Sequence, residues 1–76
     1  MKPLSDLKIG DSGFVSSIEN QDLEQQLFQM GLTPGQMIIV ERISPLLDPI
    51  AISFANSLMS IRLCDAKDIL INTDDN

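Results

Sequence analysis

The chain has 76 residues, 43% of them hydrophobic, and 11 acidic side chains against 5 Lys and Arg give it a formal net charge of −6. That length allows one domain over residues 1–76, which buries only about 60% of its unfolded surface and is marginally stable for that reason. The acidic balance argues against DNA, RNA and anionic membrane surfaces, which need Lys and Arg to neutralise phosphates.

The segment Leu4–Gly10 places Leu4, Leu7 and Ile9 ahead of a glycine, and Asp11-Ser12-Gly13 is a turn signal. Phe14–Ile18 is the first predicted strand, with Phe14 or Val15, and Ile18, as inward candidates. A helix follows. Asn20 and Asp22 both suit its N-cap, and Gln25 stands three residues after Asp22 as in a capping box. Asp22 and Glu24 also match the positive end of the helix dipole. Leu23, Leu27 and Met30 fall at i, i+4 and i+7 on one face, with Phe28 beside that stripe and half exposed.

Gly31 fits the left-handed position after the helix, and Leu32 the residue that packs back on the last turn. Pro34 and Gly35 suit the two centres of a type II turn in Thr33-Pro34-Gly35-Gln36. Residues Met37–Ile43 form the second predicted strand. Ser44–Pro49 is a loop bracketed by prolines, which cannot donate to a sheet ladder. In Ile50–Phe54 the residues Ile50, Ile52 and Phe54 share one face. Ala55–Ser57 is a hairpin turn, and Asn56 tolerates the left-handed conformation. In Leu58–Leu63 the residues Met59, Ile61 and Leu63 oppose Ser60 and Arg62. Asp65–Asp68 is a short polar turn, Ile69–Ile71 a last strand, and residues 72–76 a flexible acidic tail.

The expected fold is mainly β with one short α-helix. Four or five short strands in one small core suggest a closed or nearly closed barrel, because closure removes unpaired edges. Residues Lys2–Asp6 lead into no signal-type apolar stretch, and no apolar run approaches the roughly 20 residues that span a bilayer. The expectation is a soluble, cytoplasmic protein. Without His, and with no phosphate-cradling loop or paired nucleophile and base, no catalytic residue is assigned and the chain is not expected to be an enzyme. No Trp or Tyr is available to line a proline-peptide groove or to stack on bases.

The segments Leu4–Ile18, Leu23–Val40, Ser44–Phe54 and Ser57–Ile71 together resemble the ferrous iron transport protein A (FeoA) family. The most specific parts are Met30-Gly31-Leu32 with Pro34-Gly35, then Pro45-Leu46 with Asp48-Pro49-Ile50, then Ile61-Arg62 with Ala66 and Ile69. Two turn positions depart from the family pattern, Leu47 and Asn56, where glycine is usual. The resemblance implies an SH3-like β-barrel of about five strands. It also implies a cytosolic accessory role beside the membrane ferrous iron transporter FeoB, which carries a G-protein domain.

Partner contact is expected at the helix end and corner, through Leu27, Phe28, Met30 and Leu32, or at the loop tip, through Leu46, Leu47 and Asp48. Gly31, Pro34, Gly35 and Asn56 are read as turn formers. An exposed edge or the apolar loop could also support self-association. Arg42 and Arg62 raise an arginine-finger alternative, which mid-strand placement disfavours against pairing with nearby acids. Cys64, Asp65 and Asp68 raise a divalent-metal alternative, a sensor or metallochaperone, against the reading of a buried cysteine beside a solvated turn. The four Met are read as core filling. No metal or cofactor is assigned.

Overall fold

The computed structural model describes residues 1–73, so residues 74–76 of the expected acidic tail lie outside the described residues. Six strands are present: β1 (Lys2–Pro3), β2 (Ser12–Ile18), β3 (Met37–Ile43), β4 (Ile50–Phe54), β5 (Ser57–Ile61) and β6 (Ile69–Asn72). Helix α1 spans Gln21–Gln29, a single turn α2 spans Leu63–Ala66, and a 3₁₀ turn spans Leu4–Asp6. All pairings are antiparallel, in the order β1-β6-β2-β3-β4-β5. The sheet curls around its core, but its end strands β1 and β5 do not pair, so the barrel is open.

Two β-bulges shape the curl. In β2 the register slips between Val15 and Ser17, and in β3 between Val40 and Arg42. Each extra residue shifts the alternation by one. That is how Val15 and Ile18, three apart, both turn inward, and how Ile38, Val40 and the partly buried Ile43 face the same core. Phe14 therefore points outward and is 45% exposed.

The core is aliphatic, centred on Leu4, Ile38, Ile50, Ile52, Ile69 and Ile71 with Leu23, Leu27 and Leu32 from the helix and corner. Each such side chain contributes about 1.5–3 kcal/mol when fully buried. No buried side chain is polar or charged among the described residues. Gly13 is not a turn residue. It lies in β2, and a Cβ there would come 2.6 Å from Ile71 Cγ2 and 2.7 Å from the Asn72 carbonyl oxygen.

Other differences have local causes. Strand β5 ends at Ile61, and Leu63 opens α2 while still packing on the core. Asn72 belongs to β6, opposite Phe14, rather than to a tail. Strand β1 has only two residues and a proline, too little for any periodic signal.

Candidate functional site

Helix α1 is held firmly at both ends. The Asn20 side chain accepts from the Leu23 N–H at 3.1 Å, which settles the N-cap on Asn20 rather than Asp22. At the other end the Leu32 N–H donates to the Leu27 carbonyl at 2.8 Å, and the Gly31 N–H to Phe28 at 3.0 Å. With Gly31 at φ +95° this is a Schellman motif.

The corner is fixed as well. Gln36 N–H donates to the Thr33 carbonyl at 3.3 Å, closing the turn around Pro34 and Gly35, and Gly35 is at φ +98°. Gly35 N–H donates to Val15, and Val15 N–H to Gln36, so the corner is laced to β2. A rigid support of this kind limits the entropy lost when a partner binds.

Of the residues expected to contact a partner here, Leu27 and Leu32 are buried, at 4% and 1% exposure, and serve the core instead. Phe28 and Met30 are free, at 68% and 60%. Met30 caps the helix and turns away from the stripe its spacing suggested. Phe28 borders a groove of about 240 Å³ with Glu24, Gln25, Leu32, Thr33 and Pro34.

The loop between β3 and β4 is the second candidate. Leu46 is 86% exposed and Leu47 59%. The tip is closed by Leu47 N–H donating to the Ser44 carbonyl at 2.7 Å and Ser44 N–H donating to Pro49 at 3.2 Å. Leu47 stands at φ +66°, a left-handed conformation that disfavours a branched side chain. The Asp48 carboxylate accepts from the Leu63 N–H at 3.0 Å, which anchors the loop to the start of α2. Asp48 thus has a positioning role in the loop.

A third apolar surface escaped the sequence reading. Phe14 and Met37 are cross-strand neighbours on the outer face of the sheet, both about half exposed, and Leu58 on β5 is 65% exposed. Met30, Leu58 and Met59 border a groove beside the hairpin. The signal for Leu58 was present, since it alternates out of phase with the inward Met59 and Ile61. Phe14 and Met37 were concealed, because the bulge in β2 and the aliphatic run of β3 blur the period. Among the methionines only Met59 fills the core; Met1, Met30 and Met37 are exposed.

The surface around these residues is acidic. From Ile9 to Glu41 there is no Lys or Arg, while Asp11, Glu19, Asp22, Glu24 and Glu41 are exposed. Arg62 is occupied: it meets the Asp65 carboxylate at 3.2 Å, and that hydrogen bond raises the guanidinium pKa further. Arg42 is exposed in β3. Cys64 is exposed rather than buried, with only a weak 3.9 Å approach to Asp65. No group of three or more His, Cys, Asp or Glu is placed to hold a metal ion among the described residues. No helix of the described residues is long and apolar enough to cross a membrane.

Such a molecule, a small open antiparallel sheet with two short helices, belongs to the SH3-like class of folds. Residues 2–73 match the FeoA domain family, and the chain belongs to that family. The FeoA protein of Chlorobium tepidum has a solution structure that superposes with a TM-score of 0.87 at 33% identity, over 97% of this chain and 70% of that one. A crystal structure of an iron uptake regulatory protein (FeoA) gives 0.82 at 35% identity, over 93% of each chain. FeoA of Stenotrophomonas maltophilia, described with zinc as a prokaryotic SH3 domain protein, shares the fold at TM-score 0.77 and 20% identity, over 91% of this chain and 87% of that one. A comparison with curated proteins finds no match.

Proposed function

We propose that this protein is a small cytosolic accessory of ferrous iron uptake that docks on the membrane transporter FeoB and supports or regulates transport by binding alone. Family membership supplies the transport context. The observation that carries the docking reading is the set of exposed apolar residues on fixed supports: Phe28 and Met30 in the last turn and cap of α1, just before the Schellman stop, and Leu46 and Leu47 on the closed loop. Exposed apolar groups held in one conformation fit a partner surface at low entropic cost. The acidic run around Phe28 suits a partner site with an apolar centre and a basic rim.

Calorimetric titration of this protein into whole FeoB in detergent, nucleotide-free and with a GTP analogue, tests the reading. Binding is expected, weakened about tenfold or more by Phe28→Ser or by Leu46→Ser with Leu47→Ser, the scale of losing one buried apolar anchor. Affinity that differs between nucleotide states marks a regulator, because a ligand shifts an equilibrium only through differential affinity. No binding by the folded protein overturns the reading.

A further inference from the structure

The groove beside Phe28 is built for something small. It encloses about 240 Å³, less than the roughly 300–1,000 Å³ of a site for a drug-sized ligand, and so suits one long side chain rather than a whole helix or strand. Leu32, 1% exposed, lies deepest in it. Phe28 lines it from α1, and Thr33 and Pro34 line it from the corner.

Glu24 borders the same groove one helical turn before Phe28, which sets their Cβ atoms about 5–6 Å apart on one face of α1. Its carboxylate has no hydrogen bond or ion pair among the described residues. The chain brings no cation of its own to it. No Lys or Arg occurs between Ile9 and Glu41, and Arg62 is held by Asp65.

An occupant of this groove meets an aliphatic floor, an aromatic wall and a free carboxylate together. A purely apolar side chain covers the floor but strips water from Glu24 and returns no hydrogen bond. Lysine carries a cation, but its ammonium is compact and strongly hydrated. Arginine answers all three surfaces. Its methylene stem lies along Leu32 and Pro34, its guanidinium plane stacks on the Phe28 ring, and its N–H groups donate to the Glu24 carboxylate.

We propose that this groove holds a single arginine side chain presented by a partner protein. A second copy is a poor source, because each copy carries a net charge of −6 and repels the other. A different, basic surface is drawn in by that same charge. The identity of that partner rests on the docking reading above; the arginine pocket itself is tested without it.

Amide NMR spectra of the full chain are followed while N-acetyl-arginine amide is added, with the lysine and norleucine analogues as comparison probes. The expected result is saturable shifts at the amides of Glu24, Gln25, Phe28, Leu32, Thr33 and Gly35 with the arginine probe. The lysine probe is expected to bind more weakly, and the neutral norleucine probe not to bind. Glu24→Gln and Phe28→Leu, both at exposed positions, are each expected to keep the fold and weaken arginine binding about two- to fivefold, the scale of an exposed ion pair or cation–π contact. Added NaCl weakens binding to the parent, and Glu24→Gln removes most of that dependence. The absence of saturable shifts overturns the proposal, as does equal binding of all the probes or an arginine affinity that neither variant changes. Calorimetry with whole FeoB separates this inference from the docking reading. Arginine binding by a protein that ignores FeoB supports the pocket and overturns the docking. FeoB binding that Glu24→Gln leaves unchanged overturns the pocket as a partner contact and leaves the docking standing.

Discussion

Leu47 and Gly13 show opposite demands at single positions. Leu47 sits at φ +66°, where glycine is usual in the family pattern, and an L side chain there costs roughly 1–2 kcal/mol. Leu47→Gly removes that cost but frees the unfolded chain, which returns about 0.5–1 kcal/mol. The expected net change in a urea melt is a gain of about 0–1.5 kcal/mol, together with weaker binding to FeoB. A mutant that binds as well as the parent removes Leu47 from the docking surface. Gly13 has no room for a methyl group between Ile71 and the Asn72 carbonyl. Gly13→Ala therefore forces β2 and β6 apart, and a loss of about 1–3 kcal/mol is expected in the same melt. A loss under half a kcal/mol would mean that β6 yields easily. Nothing in Asp11-Ser12-Gly13 distinguishes a packing glycine from a turn glycine, because the crowding atoms lie nearly 60 residues downstream.

Among the elements, α1 and the β4–β5 hairpin carry their instructions locally. Asn20, Gly31, Leu32, Pro34 and Gly35 all act within a few residues of themselves, so start, stop and corner were readable. Asn20→Ala leaves the Leu23 N–H without its acceptor, and about 1 kcal/mol of stability is expected to go, measured by denaturant titration. The hairpin has positive φ at both central residues, 47° at Ala55 and 65° at Asn56, the pattern of a type I′ turn. Alanine suits that position poorly. Ala55→Asn is expected to raise stability by about 0.5–1 kcal/mol, and an unchanged melting curve would argue that the turn relaxes in solution. The elements misjudged from sequence lack such local signals. Strand β1 forms because β6 lies beside it, and α2 forms where Asp48, 15 residues upstream, accepts from the Leu63 N–H.

Across the whole molecule, one ion pair among the described residues stands against a net charge of −6. Unbalanced repulsion destabilises a compact state and is screened by salt. Raising NaCl from about 0.05 M to about 0.5 M is expected to raise the melting temperature by a few degrees, since about 1 kcal/mol shifts a domain of this size by roughly 4–8 °C. A fall in melting temperature would instead reveal that paired charges hold the fold. The same acidity bears on recognition, because it favours a basic rim on the partner and works against close approach of a second copy.

What the sequence determined by itself was whatever depends on neighbours along the chain: the helix and its caps, the corner, the alternation of β4 and β5, and the family resemblance that these spaced signals compose. The exposure of Phe28, Leu46 and Leu47 was also legible, from a residue off the helical stripe and from leucines crowded between prolines. Tertiary structure alone decided the rest. It turned Met30 and Phe14 outward, tied Asp48 to α2, and left β5 at the end of the sheet. The reason is geometric: a bulge or a strand order sets which face a residue shows, and both are fixed by contacts far apart in sequence, where no local period records them.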